Sequence, residues 1–196
     1  MLAEKIQTIS EEEYLEMERV SEIKHEYHEG EIFAMAGASD SHNLITANVI
    51  REIGIQLKTK NCFAYVNDMK IRINKFKKYL YPDIMVVCGE KKFFDNQKKD
   101  ALLDANLIVE VLSDSTEAYD RGDKFRYYRQ LNSLKEYLLI SQKEKRVEKY
   151  LKNETGFWMF SETNEDQPQI ILESIDCKLN LEDIYQKVDF IPQITT

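Results

Sequence analysis

Apolar residues in this chain recur at two spacings, and those spacings predict most of its elements. Ile45, Val49, Ile53 and Leu57 fall every four residues behind the cap-forming cluster Ser39-Asp40-Ser41. That pattern predicts an amphipathic helix whose apolar stripe packs on a sheet. Ser10-Glu11-Glu12-Glu13 has capping-box form, with Ser10 as N-cap and Glu13 reaching back, and predicts a short helix to about Arg19. His25 to Met35 reads as a hairpin turning near Gly30. Short apolar runs predict strands at 62–67, 69–74, 80–88 and 106–112, with the polar, lysine-rich stretch 89–105 as a loop. Ser113-Asp114-Ser115-Thr116 offers caps for a helix near 117–131, with Phe125, Tyr128 and Leu131 on one side. Tyr137–Ile140 reads as a strand, and Arg146–Tyr150 and Phe157–Phe160 as an antiparallel hairpin joined near Asn153 to Gly156. A last helix over 181–188 is capped by Asn180. The order predicts an α/β fold: a mixed sheet flanked by helices, with an extra N-terminal and an extra C-terminal hairpin. No repeat, low-complexity stretch or linker divides the chain, so residues 1–196 read as one domain.

Two of the apolar runs each contain a carboxylate. Pro82 is followed by Asp83-Ile84-Met85-Val86-Val87-Cys88, and Glu110 interrupts Leu107-Ile108-Val109-Glu110-Val111-Leu112. An ionised carboxylate taken out of water costs several kcal/mol unless it is paired or binds a metal. A divalent cation shared by Asp83 and Glu110 is the simplest compensation. If the two strands pair, both acids can converge at one sheet edge. Magnesium (or manganese) suits such a site, since it takes oxygen ligands and is held by one or two carboxylates plus substrate phosphate. The main-chain carbonyl of Val111 is a candidate further ligand. Lys124, one helix after Glu110, is the candidate to orient water or offset charge, and Asp120 lies four residues before it on the same helical face.

Each of these residues also has a plainer reading. Asp83 could cap a turn after Pro82, and Glu110 could form a structural salt bridge to Lys124 or an arginine. Asp120 and Lys124 could be a surface ion pair. His42, at the start of the amphipathic helix, could touch substrate or move a proton, or else cap and pack. His25 and His28 have no zinc-ligand spacing with any cysteine, and Trp158 and the tyrosines read as core and sheet residues.

Composition narrows the class. With 43% hydrophobic and 32% charged residues the chain is globular. No apolar run reaches the roughly 18 residues of a membrane helix, and the acid in Met1-Leu2-Ala3-Glu4-Lys5-Ile6 argues against an export signal. Cys62, Cys88 and Cys177 are odd in number and far apart, which predicts free thiols in a reducing cytoplasm. A net charge of −8 excludes a uniformly basic nucleic-acid coat. Basic blocks nonetheless flank the acid-bearing runs, at Lys70–Lys78, Lys91-Lys92, Lys98-Lys99, Arg121–Arg129 and Lys143–Lys149. They read either as a solvated lysine-rich surface or as a rim that guides a polyanion past an acidic centre.

Tyr81-Pro82-Asp83 followed by Glu110-Val111-Leu112 resembles the PD-(D/E)XK nuclease superfamily, which has the restriction-endonuclease-like fold. The wider text resembles its Uma-two family over about residues 8 to 188. The segments that carry the likeness are His25-Glu26-Tyr27 through Gly30-Glu31, Met35-Ala36-Gly37-Ala38 before His42-Asn43, Glu110-Val111-Leu112-Ser113 before Ser115-Thr116, and Tyr119-Asp120-Arg121-Gly122-Asp123-Lys124. The resemblance implies a metal-dependent endonuclease that hydrolyses phosphodiester bonds in DNA, with Asp83 and Glu110 as the metal-binding acids. It hints that Glu26 enters the acidic site, against the plainer reading of an exposed strand residue. The sequence departs from the short motif at Leu112, where the motif lysine should stand, and the resemblance moves that role to Lys124. Many nucleases of this fold pair up, so a homodimer is expected. Leu112 and the acidic charge keep a second class open, a nuclease-fold binding or interaction module without catalysis. A metal phosphoesterase acting on a substrate other than nucleic acid is a third.

Overall fold

The structure, a computed structural model, describes residues 8–190; the stretch Met1–Ile6, read above for an export signal, lies outside them. In chain order the elements are α1 (Glu11–Glu18), β1 (His25–His28), β2 (Glu31–Ala34), α2 (Asp40–Leu57), β3 (Cys62–Val66), β4 (Lys70–Ile73), β5 (Lys78–Leu80), β6 (Ile84–Cys88), β7 (Ala101–Leu102) and β8 (Leu107–Val111). A helical segment follows, made of α3 (Glu117–Tyr119), a π turn (Asp120–Lys124) and α4 (Phe125–Tyr128), and then β9 (Glu136–Ile140), β10 (Val147–Lys152), β11 (Trp158–Thr163), β12 (Gln169–Leu172), β13 (Cys177–Asn180) and α5 (Leu181–Ile184).

The local signals act as their chemistry dictates. Ser10 Oγ accepts from the Glu13 N–H (3.1 Å) while Glu13 accepts from the Ser10 N–H (2.7 Å), closing the capping box of α1. Ser39 Oγ accepts from the His42 N–H (3.1 Å) and starts α2. Asn180, by contrast, has no side-chain bond to its helix backbone, and α5 ends at Ile184, short of the predicted 188.

Two large sheets and a separate two-stranded one, β12-β13, form where one sheet was expected. A six-stranded sheet has the order β11-β10-β9-β8-β6-β3, with β8 and β9 parallel and the other pairs antiparallel. A five-stranded sheet has the order β2-β1-β5-β4-β7. The C-terminal hairpin β10-β11 therefore extends the six-stranded sheet, and the N-terminal hairpin forms one edge of the other. The predicted strand 80–88 is split by Pro82, which fixes its own φ and has no N–H to donate. The chain runs along β5 in one sheet and crosses at Tyr81-Pro82-Asp83 into β6 of the other.

Alternation along the strands divides the core. Leu107, Val109 and Val111 face the α2 stripe of Ile45, Val49, Ile53 and Leu57, a layer completed by β12, β13 and α5. Ile108 and Leu112 face the other way with Met85, Tyr137 and Leu139, toward Phe125, Tyr128 and the second sheet's Ile71, Ile73 and Leu80. Each such side chain contributes about 1.5–3 kcal/mol by leaving water. The two-residue β7 and the four-residue β12 and β13 were not expected, although Cys177-Lys178-Leu179-Asn180 alternates apolar and polar over one strand's length.

The cysteine expectation is corrected. Cys62 and Cys88 are direct partners across β3 and β6 and are joined by a disulfide; Cys177 is free and buried. Their separation of 26 residues concealed a pairing that only the register creates, and the thiol argument for a reducing compartment falls with it. Among the described residues no helix is long and apolar enough to cross a membrane.

Glu136, at the start of β9, has no exposed surface and accepts from the Glu173 N–H (3.1 Å) and the Ser174 N–H (2.9 Å). Burial, and then its contact with the Glu173 carboxyl, push Glu136 up to about 7, with Ser174 opposing. A carboxyl raised in the folded state adds stability in full below its unfolded value near 4.5 and loses it as pH rises through about 7. The same contact holds the Glu173 carboxyl low, which offsets part of the effect, so stability of the wild type relative to Glu136→Gln should fall between those pH values by less than about 3 kcal/mol. Denaturant midpoints measured across the range check this, and parallel curves for the two proteins refute it.

Candidate active site

The site lies where the two sheets meet. Asp83 follows Pro82 at the crossover. The pairs Ile84↔Val109 and Met85↔Ile108 set β6 against β8 so that Asp83 comes beside Glu110. The Val111 N–H donates to Asp83 Oδ2 (2.7 Å), and the Asp83 N–H points at Glu110 Oε2 (3.4 Å). The Leu112 N–H bonds to Ile140 on the opposite side. Because a strand residue's N–H and C=O point to the same neighbour, the Val111 carbonyl faces the Asp83 side. The two acids thus share one side of the sheet.

Glu110 is 2% exposed and Lys124 is 6% exposed, with Lys124 Nζ 2.9 Å from Glu110 Oε1. The Tyr128 hydroxyl donates to the same oxygen (2.8 Å). Asp120 Oδ1 lies 3.4 Å from Lys124 Nζ and is also buried, so this pair is no surface contact. Asp120, Lys124 and Tyr128 stand at i, i+4 and i+8 along the segment that contains the π turn, a distortion often found at functional sites. The Tyr137 hydroxyl donates to the Asp120 carbonyl (2.9 Å) and steadies that turn.

Glu26 reaches in from β1. Its Oε1 lies 3.8 Å from Lys124 Nζ, and its Oε2 accepts from the Tyr119 hydroxyl (3.2 Å). It is held inside, unlike an exposed strand residue. His42 packs from the first turn of α2, with Nε2 3.1 Å from Asp83 Oδ2. Its Nδ1 is buried without a partner among the described residues. His42 therefore orients Asp83.

Electrostatics follow from burial. Desolvation pushes the Glu110 carboxyl well above its usual range; Lys124 opposes, and Asp83 and Asp120 add to the rise. Desolvation acts to lower the Lys124 ammonium, but Glu110, Glu26, Asp120 and Asp83 outweigh it and hold Lys124 protonated. Burial and the nearby Glu110 keep the Tyr128 phenol protonated, so it can only donate to that carboxylate.

The donor set fits a hard cation. Asp83 Oδ1 makes no hydrogen bond among the described residues, and Glu110 Oε2 has only the long contact from the Asp83 N–H. Among the described residues no group of three or more His, Cys, Asp or Glu side chains is placed to hold an ion. An ion here would rest on two carboxylates, a main-chain carbonyl, water and substrate, which is the pattern of magnesium. Leu112, at the motif lysine's position, packs in the core, and Lys124 is the lysine that touches Glu110. The hydroxyls of Tyr128 and Tyr119 were missed. A signal existed: Tyr128 continues the Asp120, Lys124 stripe, and a buried tyrosine hydroxyl needs a partner.

The family model Uma2, described as "Putative restriction endonuclease", matches residues 11–182. Two proteins of Synechocystis sp. (strain PCC 6803), both named as uncharacterized, are similar. One, sll1609, is 39% identical over 158 residues, covering 81% of this chain and 89% of that protein. The other, slr1290, is 35% identical over 182 residues, covering 93% and 94%. The fold matches a crystal structure of "a putative nuclease belonging to DUF820" from Anabaena variabilis, with a TM-score of 0.73, 17% identity, and coverage of 90% of this chain and 97% of that one. The fold is restriction-endonuclease-like, Glu26, Asp83, Glu110 and Lys124 all fall within the matched span, and the chain belongs to the Uma2 family.

Proposed function

We propose that this protein is a metal-dependent endonuclease that hydrolyses phosphodiester bonds in DNA. The observation that carries the reading is the buried contact of Lys124 with Glu110, beside Asp83, at the junction of the two sheets. Asp83, Glu110 and the Val111 carbonyl would hold Mg²⁺ or Mn²⁺. When bound, the ion supplies Lewis-acid polarisation of a phosphate oxygen and a water of lowered pKa. Lys124 presents a fixed positive charge to the oxygen on which negative charge develops. Glu26 and Asp120 keep that ammonium protonated and aimed, and His42 and the Val111 N–H fix the rotamer of Asp83. A binding module without catalysis is the second reading, favoured by Leu112 at the motif position and by the −8 charge.

Supercoiled plasmid incubated with Mg²⁺ or Mn²⁺ should be nicked by the wild type. Asp83→Ala and Glu110→Ala should each lower the rate by about 100-fold or more. Unchanged activity in both variants removes the proposed site, and binding without cutting under every metal selects the module. Metal binding can be read without activity. An ion at 100 times its dissociation constant adds about 2.7 kcal/mol, which raises the melting temperature by about 5–10 °C in a chain of this size. EDTA should reverse the rise, and Asp83→Ala should abolish it; a rise that survives in Asp83→Ala puts the ion elsewhere.

A further inference from the structure

Lys78 begins β5 and is 4% exposed as a residue; among the described residues its ammonium forms no ion pair and no hydrogen bond, and its tip is not fully enclosed, so it keeps access to solvent. It lies 4.0 Å from the ring centroid of Tyr127 and 5.9 Å from that of Tyr119. The ring face attracts the cation but supplies no hydrogen-bond acceptor for its N–H groups. The charge is thus left without an acidic partner and open to a ligand from solvent. Burial accordingly lowers the Lys78 ammonium, with Glu26 opposing.

The same tyrosine collects two more basic side chains. His28, the cross-strand partner of Lys78, has its ring centroid 5.5 Å from that of Tyr127, and the Arg126 guanidinium lies 5.5 Å from it. Burial and the adjacent Lys78 both lower His28. The acids nearby are engaged at the rim: Asp123 with Arg126 (3.4 Å), and Glu29 4.0 Å from His28. This basic cluster adjoins the candidate active site through Tyr119, whose hydroxyl bonds Glu26, which in turn faces Lys124.

We propose that Lys78, with His28 and Arg126 around Tyr127, forms an anion subsite that takes a DNA backbone phosphate flanking the one attacked. The proposal rests on the nuclease reading for the identity of its ligand. It assigns a role to a lysine in the Lys70–Lys78 block, whose two end lysines are largely buried as residues, unlike a row of solvated lysines.

The test is fluorescence anisotropy with a labelled DNA duplex in EDTA, over a series of salt concentrations. Lys78→Met should weaken binding by about tenfold and reduce the slope of log K against log salt by about 0.9, the loss of one phosphate contact. Lys78→Arg should keep both. His28→Gln and Arg126→Ala, at less buried positions, should each weaken binding by about threefold with an unchanged melting temperature. A folded Lys78→Met variant with wild-type affinity and slope overturns the subsite, as does a wild type that binds no duplex at low salt. If Lys78→Met does not fold, the other two variants decide, and wild-type slopes in both overturn it. If the wild type never cuts yet binds DNA through Lys78, the nuclease reading fails and the subsite stands.

Discussion

The constraint on which the rest depends is the Glu110 carboxylate in the middle of a buried strand. Every other position of β8 is apolar and enclosed. An apolar residue facing an apolar partner here would pack without penalty, since replacing a whole buried ion pair by hydrophobic residues is often neutral or stabilising, whereas removing Glu110 alone would strand the buried Lys124 charge. The carboxylate instead requires Lys124 and the Tyr128 hydroxyl to converge on one oxygen. Lys124 in turn is itself buried and draws in Asp120 and Glu26. One acid in a strand thereby fixes the π turn, the placement of α4 and the depth to which the hairpin β1-β2 enters.

Two separate sheets make this convergence possible. A single continuous strand through residues 80–88 would have left Asp83 within a ladder. Pro82 ends one strand before the next begins, so Asp83 stands at the mouth of the six-stranded sheet with a side-chain oxygen bonded to the main chain of β8. Glu26 arrives from the five-stranded sheet because β1 pairs with β5, the strand that leads into the crossover. His42 arrives from the first turn of α2, in the layer packed on the other face of the six-stranded sheet, and reaches Asp83. The site is the point that both sheets and both helical layers reach.

Much of this was legible in the sequence, for identifiable reasons. The stripe Ile45 to Leu57 and the capping box at Ser10 are local signals, and local physics decides them. The acids at 83 and 110 stood out because a charge among apolar residues has to be explained by something other than packing. What escaped was set by register and by sheet membership. The Cys62–Cys88 pair depends on which residues of β3 and β6 lie opposite, and the division of the strands into two sheets depends on how tightly the chain bends at Pro82. Lys78 escaped for the opposite reason: it sits in a run of lysines, where a buried member looks like its exposed neighbours.

The acidity of the site bears on how it could serve a polyanion. Glu26, Glu110 and Asp120 surround the Lys124 ammonium, and Asp83 stands beside them with His42 held against it. Left alone, that arrangement repels a phosphate. A bound divalent cation would invert the local sign at the two acids, but only within the reach of a few ångströms that the surrounding protein leaves unscreened. A substrate strand also has to be held on either side of that point. On a chain of net charge −8 such holding cannot come from a general positive field. It has to come from discrete cations, each kept free of acidic partners until the substrate arrives. Lys78, packed against aromatic rings and without an ion pair among the described residues, meets that condition, whereas Lys124 is already paired with Glu110, Glu26 and Asp120.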